Sequence, residues 1–217
     1  MPRRPAIPGV DRRQQILEAA LSVFAEQGFE AATNKVIAER ANVNQGLIYF
    51  YFESKADVFF ATFEYHARLV IEQLDAAFEQ VNDEDPVTGL HHLLKQIVTV
   101  LDTPRAISLL RIMYQVVSSR LPDGALSRKD EQPSVNMLAK HLSSRLREYL
   151  AAQMERGKLR PMKPALIAQL ITRTLLSSIG PRGDNRPMQP SHEELAEGIA
   201  SLFCYGLLPG DARQEVL

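Results

Sequence analysis

The stretch that decides the fold begins Thr33-Asn34-Lys35-Val36-Ile37-Ala38. It continues Ala41-Asn42-Val43-Asn44-Gln45-Gly46-Leu47-Ile48-Tyr49-Phe50-Tyr51-Phe52 and ends Ser54-Lys55. Thr33 is a good helix N-cap, since its hydroxyl oxygen can accept from a free first-turn amide. A short helix therefore runs from Thr33 through Val36, Ile37 and Ala38 to Ala41. Asn42-Val43-Asn44 interrupts it, and asparagine tolerates the left-handed backbone that a tight interhelical turn requires. Asn44 caps the next helix, from Gln45 to about Phe50. Ser54-Lys55-Ala56-Asp57 has capping-box spacing, with Asp in place of the usual Glu or Gln, and opens a long helix.

Upstream, Ile16, Ala20, Phe24 and Gly28 recur every four residues from Arg12, and Leu17, Leu21 and Ala25 widen the stripe. This is one buried helical face, with Gly28 as its natural stop. Downstream, the helix that starts at Ser54 carries Val58, Phe59, Phe63, Val70, Leu74 and Phe78 as far as Asn82-Asp83-Glu84-Asp85-Pro86. It is long enough to belong to both halves of the protein and to act as a lever. Further helices are predicted over about Val87–Leu101, Pro104–Arg120, Glu131 or Ser134 to Arg156, Pro164–Gly180 and, after the capping box Ser191-His192-Glu193-Glu194, to about Tyr205. No period-two alternation argues for a sheet. The expectation is an all-α chain: a three-helix helix-turn-helix domain with an N-terminal arm over 1–54, and a larger helical domain over 55–217.

The bulk numbers bound the function. Hydrophobic residues make up 45% of 217 and charged residues 24%, as in an ordinary globular protein. No apolar run approaches the roughly 20 residues that span a bilayer. Met1–Val10 carries Arg3 and Arg4 but no apolar segment, so the cytoplasm is the expected location and no membrane partner is expected. The single Cys204 allows neither an internal disulfide nor a cysteine-based zinc site, and its apolar surroundings predict a buried, inert thiol. The net charge is −1, and residues 1–55, with seven Lys/Arg and six Asp/Glu, are only +1. Any nucleic-acid contact must then come from local placement of cations. The decisive stretch holds no phosphate loop, nucleophile elbow or metal motif. His91-His92 is no metal pair, because adjacent helical positions point apart. No enzyme, cofactor or metal is expected.

Taken in order, Gln27-Gly28-Phe29, the Thr-x-x-x-Ile-Ala run at 33–38, the Val43 turn, the Gly-x-x-Tyr-x-x-Phe string at 46–52 and Ser54-Lys55 resemble the DNA-binding domain of the TetR family of regulators. The resemblance covers roughly residues 12–60; beyond that only length and helix count agree. Asn42 stands where the family usually has Gly, and Asn44 where Ser or Thr is common. Leu47 occupies a position often small or polar, and either packs inside the motif or touches a thymine methyl.

The resemblance implies a dimeric regulator, in its common mode a repressor, that binds a palindromic double-stranded operator and responds to a small molecule. A recognition helix reads base edges in the major groove with its N-terminal residues. Gln45 is then placed to pair with adenine, unless it is only a solvated helix start. Gly46 lets the backbone approach DNA closely. Tyr49 and Tyr51 can donate to phosphates, although Tyr49 also suits half-buried packing. Thr33, Asn34 and Lys35 begin the second helix, Asn44 the third and Lys55 the fourth, where free amides favour an anion. Lys35 has either a base or a phosphate role. Lys55 is otherwise a solvated cap neighbour. Arg3 and Arg4 either enter the minor groove or form a solvated tail.

The stripes Leu166, Ile167, Leu170, Ile171, Thr174, Leu175 and Leu195, Ile199, Leu202, Phe203, Gly206 face either the chain's own core or a partner. TetR-like proteins pair through their last two helices, which favours a homodimer interface containing Leu170, Thr174, Leu175, Ser178, Ile199, Leu202 and Phe203. The Met and aromatic residues of the middle helices suit a core, but in this family such residues line an inducer pocket. Phe63, Tyr65, Met113, Tyr114, Val117, Met137 and Tyr149 are the expected lining, for an apolar or aromatic effector. His66, His91, His92 and His141 are expected mostly at the surface. The rival reading is a helical small-molecule-binding protein with no DNA role, which leaves Thr33–Lys55 without a purpose.

Overall fold

The computed structural model describes residues 11–81, 86–118, 136–179 and 192–207. All regular structure among them is helical: α1 (Arg12–Ala31), α2 (Asn34–Arg40), α3 (Gln45–Tyr51), α4 (Lys55–Glu79), α5 (Pro86–Leu101), α6 (Pro104–Ser118), α7 (Met137–Glu155), α8 (Pro164–Ile179) and α9 (His192–Leu207). The expected arm with Arg3 and Arg4, the loop at 181–190 and Ser191 of the last capping box lie outside the described residues.

The punctuation read from sequence is present as geometry. Asp11 caps α1 by accepting from the Arg13 and Gln14 amides. Gly28 takes φ +77°, ending the regular part of α1 three residues before its last turn closes. Thr33 Oγ1 accepts from the Val36 amide, and Asn44 Oδ1 from that of Gly46. Asn42 adopts φ +51°, the left-handed conformation that asparagine bears most readily after glycine. At the head of α4, Ser54 Oγ accepts from the Asp57 amide and donates to the Asp57 carboxylate. Ser54 thus caps the helix as expected, while the shorter acid bonds the Ser54 hydroxyl rather than completing the box at the Ser54 amide. Gly157, at φ +70°, terminates the turn after α7.

The first four helices pack around α1. Ile16, Leu17, Ala20 and Phe24 of α1 meet Ile37 and Ala38 of α2, Ile48 of α3 and Phe52 in one dry core. Phe24 and Phe29 each meet Phe59 of α4 in a T-shaped arrangement, at centroid distances of 5.1 and 5.2 Å. Each buried phenyl contributes roughly 1.5–3 kcal/mol of transfer free energy, so this trio fixes the angle between α1 and α4. Gln15 Nε2 donates to the Ala41 carbonyl at 2.8 Å, tying the end of α2 back to α1.

No boundary in packing separates this head from the body. One apolar core continues along α4 through Phe63, Ala67, Val70 and Leu74 into α5, α6, α7 and α8, and reaches Ile199 and Ala200 of α9. α6 packs on α1 as well as on α4, while α7 pairs with α8 and α5 with α9. No helix of the described residues is long and apolar enough to cross a membrane.

The two C-terminal stripes split into inward and outward halves. Ile167, Ile171, Leu175 and Ile199 are buried in the chain's own core. Leu175 and Ile199, expected at a partner interface, are therefore corrected to core residues. Leu166, Leu170 and Leu202 turn outward, Leu202 with 69% of its surface exposed. Thr174, Ser178 and Phe203 are half-buried beside them. A helix carrying apolar residues around more than half its circumference can serve both sides at once.

Candidate nucleic-acid interface

α2 and α3 meet across an open cleft of ≈ 360 Å³ on the outer face of the head. Thr33, Asn34 and Lys35 line it from the start of α2, Gln45 and Tyr49 from α3, and Lys55 from the start of α4. Six of the nine residues expected to touch DNA are thus brought to one surface. Asn44 and Gly46 sit exposed at the mouth of α3, and Tyr51 is exposed on its far flank.

Residues within the set are not equivalent. Tyr49 is 56% exposed, which sets aside the half-buried packing alternative and leaves its hydroxyl available. Leu47 resolves the other way: it is half-buried and packs against the core of the motif. Asn34 is 8% exposed, and its Oδ1 is buried with no hydrogen-bond partner. It forms the floor of the cleft, and its side chain is the least able of the three at this helix start to reach outward.

Lys55 has a structural task that sequence reasoning did not anticipate. Its ammonium donates to the Phe29 and Glu30 carbonyls at 2.7 and 3.1 Å and lies 4.5 Å from the centre of the Phe29 ring. It thereby closes the C-terminal end of α1, where unpaired carbonyls favour a cation. An ammonium has three donors, so one remains for the cleft. Arg40 makes a bidentate pair with Glu26 at 2.9 and 2.8 Å, and its hydrogen bond holds the Glu26 carboxyl below the usual range. That cation is committed to joining α2 to α1.

The joint between head and body carries polar ties that sequence reasoning missed. His66 is fully buried, with Nε2 3.1 Å from the Leu17 carbonyl oxygen of α1; the expected surface position is corrected. The signal was available, because Phe59, Phe63, His66, Val70 and Leu74 share one helical face. Arg105, at the start of α6, pairs with Glu18 of α1 at 3.1 Å. Tyr65 turns toward the same place: burial, then the Glu18 charge, pushes its phenol up.

The seven residues expected to line an effector pocket are dispersed. Phe63 is fully buried on the head side of α4, and Tyr65 lies beside α1. His141, one turn beyond Met137, binds Asp75 at 2.9 Å. Asp75 is ten residues, about 15 Å, along α4 from Tyr65. Met113, Met137 and Tyr149 are half-buried against the core, whereas Tyr114 is 60% exposed. Val117 belongs to α6, but its side chain lies outside what is described.

Comparison with known proteins agrees with this geometry. Residues 16–62, which span α1 to the start of α4, match the family of bacterial regulatory proteins of the tetR type. The HTH-type transcriptional regulator HbdR of Aromatoleum sp. (strain CIB) is 31% identical over 128 residues, 59% of this chain and 54% of that regulator. The match thus spans about half the length of that relative. Two solved structures share the fold along nearly the whole chain. FadR of Bacillus subtilis, in complex with stearoyl-CoA, superposes with a TM-score of 0.69 at 20% identity, covering 89% of this chain and 98% of its own. AibR, in complex with isovaleryl coenzyme A and operator DNA, gives 0.69 at 17%, covering 88% and 97%. In its core, caps and turn the helix-turn-helix of this chain is therefore similar to that of the bacterial regulatory proteins of the tetR family, and it sits on a body that shares the fold of these two solved structures.

Proposed function

We propose that the protein is a ligand-responsive repressor that binds a palindromic operator as a homodimer and leaves it when a small apolar molecule occupies the body. The observation that carries the reading is the cleft between α2 and α3, where Lys35, Lys55, Gln45 and Tyr49 converge on one exposed face. Two cations and a phenol suit phosphates, and a carboxamide at the start of α3 suits an adenine edge. The near-neutral charge of the chain makes this local convergence informative. The division of labour falls near residue 54, with the head to the N-terminal side, and the role is regulatory rather than catalytic, as in the family.

Pairing of two chains is supported by the outward ridge of Leu166, Leu170 and Leu202. A dimer on a palindrome needs its two recognition helices one turn of DNA apart, roughly 34–36 Å. The effector reading rests on the body. Gln153 of α7 and Thr172 of α8 are buried polar side chains among aliphatic ones, and the Thr172 hydroxyl has no hydrogen-bond partner among the described residues. Such groups suit the polar end of an otherwise apolar ligand. The acyl-coenzyme A complexes of FadR and AibR make acyl thioesters, together with aromatic acids, the first effectors to try.

Release follows from differential affinity alone. An effector favours a body conformation in which α4 tilts and the two heads no longer match the groove. A coupling of roughly 1–3 kcal/mol lowers operator affinity 5–150-fold. The test is binding of the purified protein to the DNA flanking its own coding region and to scrambled DNA, across a salt series. Sequence-dependent binding that weakens steeply with salt supports the proposal. Absence of binding to either DNA at low salt overturns it in favour of a helical ligand-binding protein.

A further inference from the structure

α3 buries one side, and the opposite side carries a residue that hydrogen-bonding chemistry does not explain. Ile48 is fully buried. At 100° per residue, Gly46 and Phe50, each two positions away, point within about 20° of the direction opposite Ile48. They form the outermost ridge of the helix. Gly46 has no side chain, so Phe50, one turn later, projects farthest from the head. It is 76% exposed, more than any other large hydrophobic residue among those described. Its ring meets the Tyr51 ring edge-on at 5.1 Å and 86°.

A phenyl in water brings the folded chain no burial energy, and phenylalanine can neither donate nor accept a hydrogen bond. Its neighbours on the ridge's polar flank, Gln45 and Tyr49, border a cleft that carries Lys35 and Lys55. The surface that covers Phe50 must therefore be a polyanion with an apolar feature at the depth a recognition helix reaches. In the major groove that feature is the C5-methyl group of thymine, the one apolar group among the base edges. On the reading of α3 as the recognition helix, we infer that Phe50 is a specificity-determining residue that selects thymine in the operator through its methyl group. Leu47, the other apolar residue of α3 with that option, is half-buried in the motif. Gly46 serves the same contact, because its bare backbone lets the helix sink until the ring reaches the groove floor.

The experiment starts with selection of a preferred site from a random duplex pool by the full-length protein. Each thymine of that site is then replaced singly by deoxyuridine, which removes only the methyl group. Affinities are measured for the wild type, for Phe50→Ala and for Phe50→Leu. The expected result is one deoxyuridine position per half-site that costs the wild type about 4-fold, the equivalent of one buried methyl group at ~0.8 kcal/mol. Phe50→Ala binds the thymine site more weakly and ignores that replacement, and Phe50→Leu retains part of the discrimination. Unchanged thermal stability of both variants shows that the exposed ring has no structural task. Indifference of the wild type to every replacement overturns the inference while leaving DNA binding intact. So does an equal loss by Phe50→Ala on thymine and deoxyuridine sites, which assigns the ring to the sugar–phosphate chain. If the wild type selects no sequence, the DNA-binding reading fails, and the inference with it.

Discussion

His66 of α4 donates from Nε2 to the Leu17 carbonyl oxygen, 3.1 Å away in the interior of α1. A carbonyl has two lone pairs, so Leu17 can accept this bond without giving up its helical one. The acceptor settles the tautomer: the proton is on Nε2, and the buried Nδ1 is bare, with no hydrogen-bond partner. The bond joins α4 to the central helix of the head, so under the release mechanism proposed above a tilt of α4 would reach α1 here.

Acid should loosen this joint. Burial lowers the His66 pKa and outweighs the opposing effects of the Leu17 bond and the Glu18 charge, while Arg105 adds to the lowering. The unfolded chain therefore takes up a proton at a higher pH than the folded one. Stability is full above the ordinary histidine pKa of about 6.5 and falls as the pH drops below it, because the unfolded state binds more protons there. Thermal unfolding at pH 8.0 and 5.5 should show a smaller loss for His66→Gln than for the wild type. An equal loss in both would assign the acid sensitivity to other groups.

Lys35 and Lys55 line the same cleft, yet their removal should read differently. The Lys35 ammonium has no hydrogen bond or ion pair among the described residues to lose, so Lys35→Ala should leave the melting temperature unchanged. It should also reduce the slope of log affinity against log salt by about 0.9 if it neutralises one phosphate. Lys55→Met should weaken binding too, but it also strips a charged donor from the Phe29 and Glu30 carbonyls. A loss of roughly 1.5 kcal/mol is expected, the low end for a charged donor, because the ammonium is partly solvated. Calorimetry and salt-dependent titration of the two variants together separate the roles.

The contrast shows what the sequence could and could not reveal. Caps and turns are local chemistry, so Asp57, Gly28, Asn42 and Asn44 were legible as punctuation before any fold was known. Periodicity reveals which faces are apolar, and it placed Ile16, Ala20 and Phe24 on a buried face. It does not say which of two apolar faces looks inward, which is why Leu175 and Leu202 were grouped although one is buried and the other exposed. Long-range partners were beyond it as well. Lys55 meets residues 25 and 26 positions away, and Arg105 meets Glu18 across 87. The effector lining was the least legible, because Phe63, Tyr65 and Tyr114 owe their chemistry to composition but their direction to tertiary packing.

Leu202 and Ile199 offer a test of the split face. Leu202→Glu adds a charge to an exposed ridge and should leave the monomer's fold intact while abolishing self-association. Ile199→Ala removes buried volume and should cost about 2–4 kcal/mol in unfolding free energy, in the range of large-to-small core changes. Light scattering across a concentration series checks the first and chemical denaturation the second. A Leu202→Glu protein that still dimerises would move the interface off this ridge.

The Glu18–Arg105 pair should contribute more to communication than to stability. Both side chains are over one-third exposed, at 40% and 35%, and ion pairs of that kind are worth about 0–1 kcal/mol. Its position is what distinguishes it. Thr103 Oγ1 caps α6 by accepting from the Ala106 amide, and Arg105 follows within that first turn. Under the proposed function, a shift of α6 driven by an effector in the body would pull on α1 through this pair, beside the Leu17–His66 bond. Arg105→Ala should leave the melting temperature and the effector-free operator affinity near those of the wild type. The drop in operator affinity on adding a saturating effector should shrink toward 1-fold. Glu18→Gln should behave alike, and the double variant should be no worse than either single one, the non-additivity expected of residues that act as one link. A full effector response in Arg105→Ala would mean that the signal reaches the head through α4 and His66 alone, and His66→Gln would then be the variant that loses it.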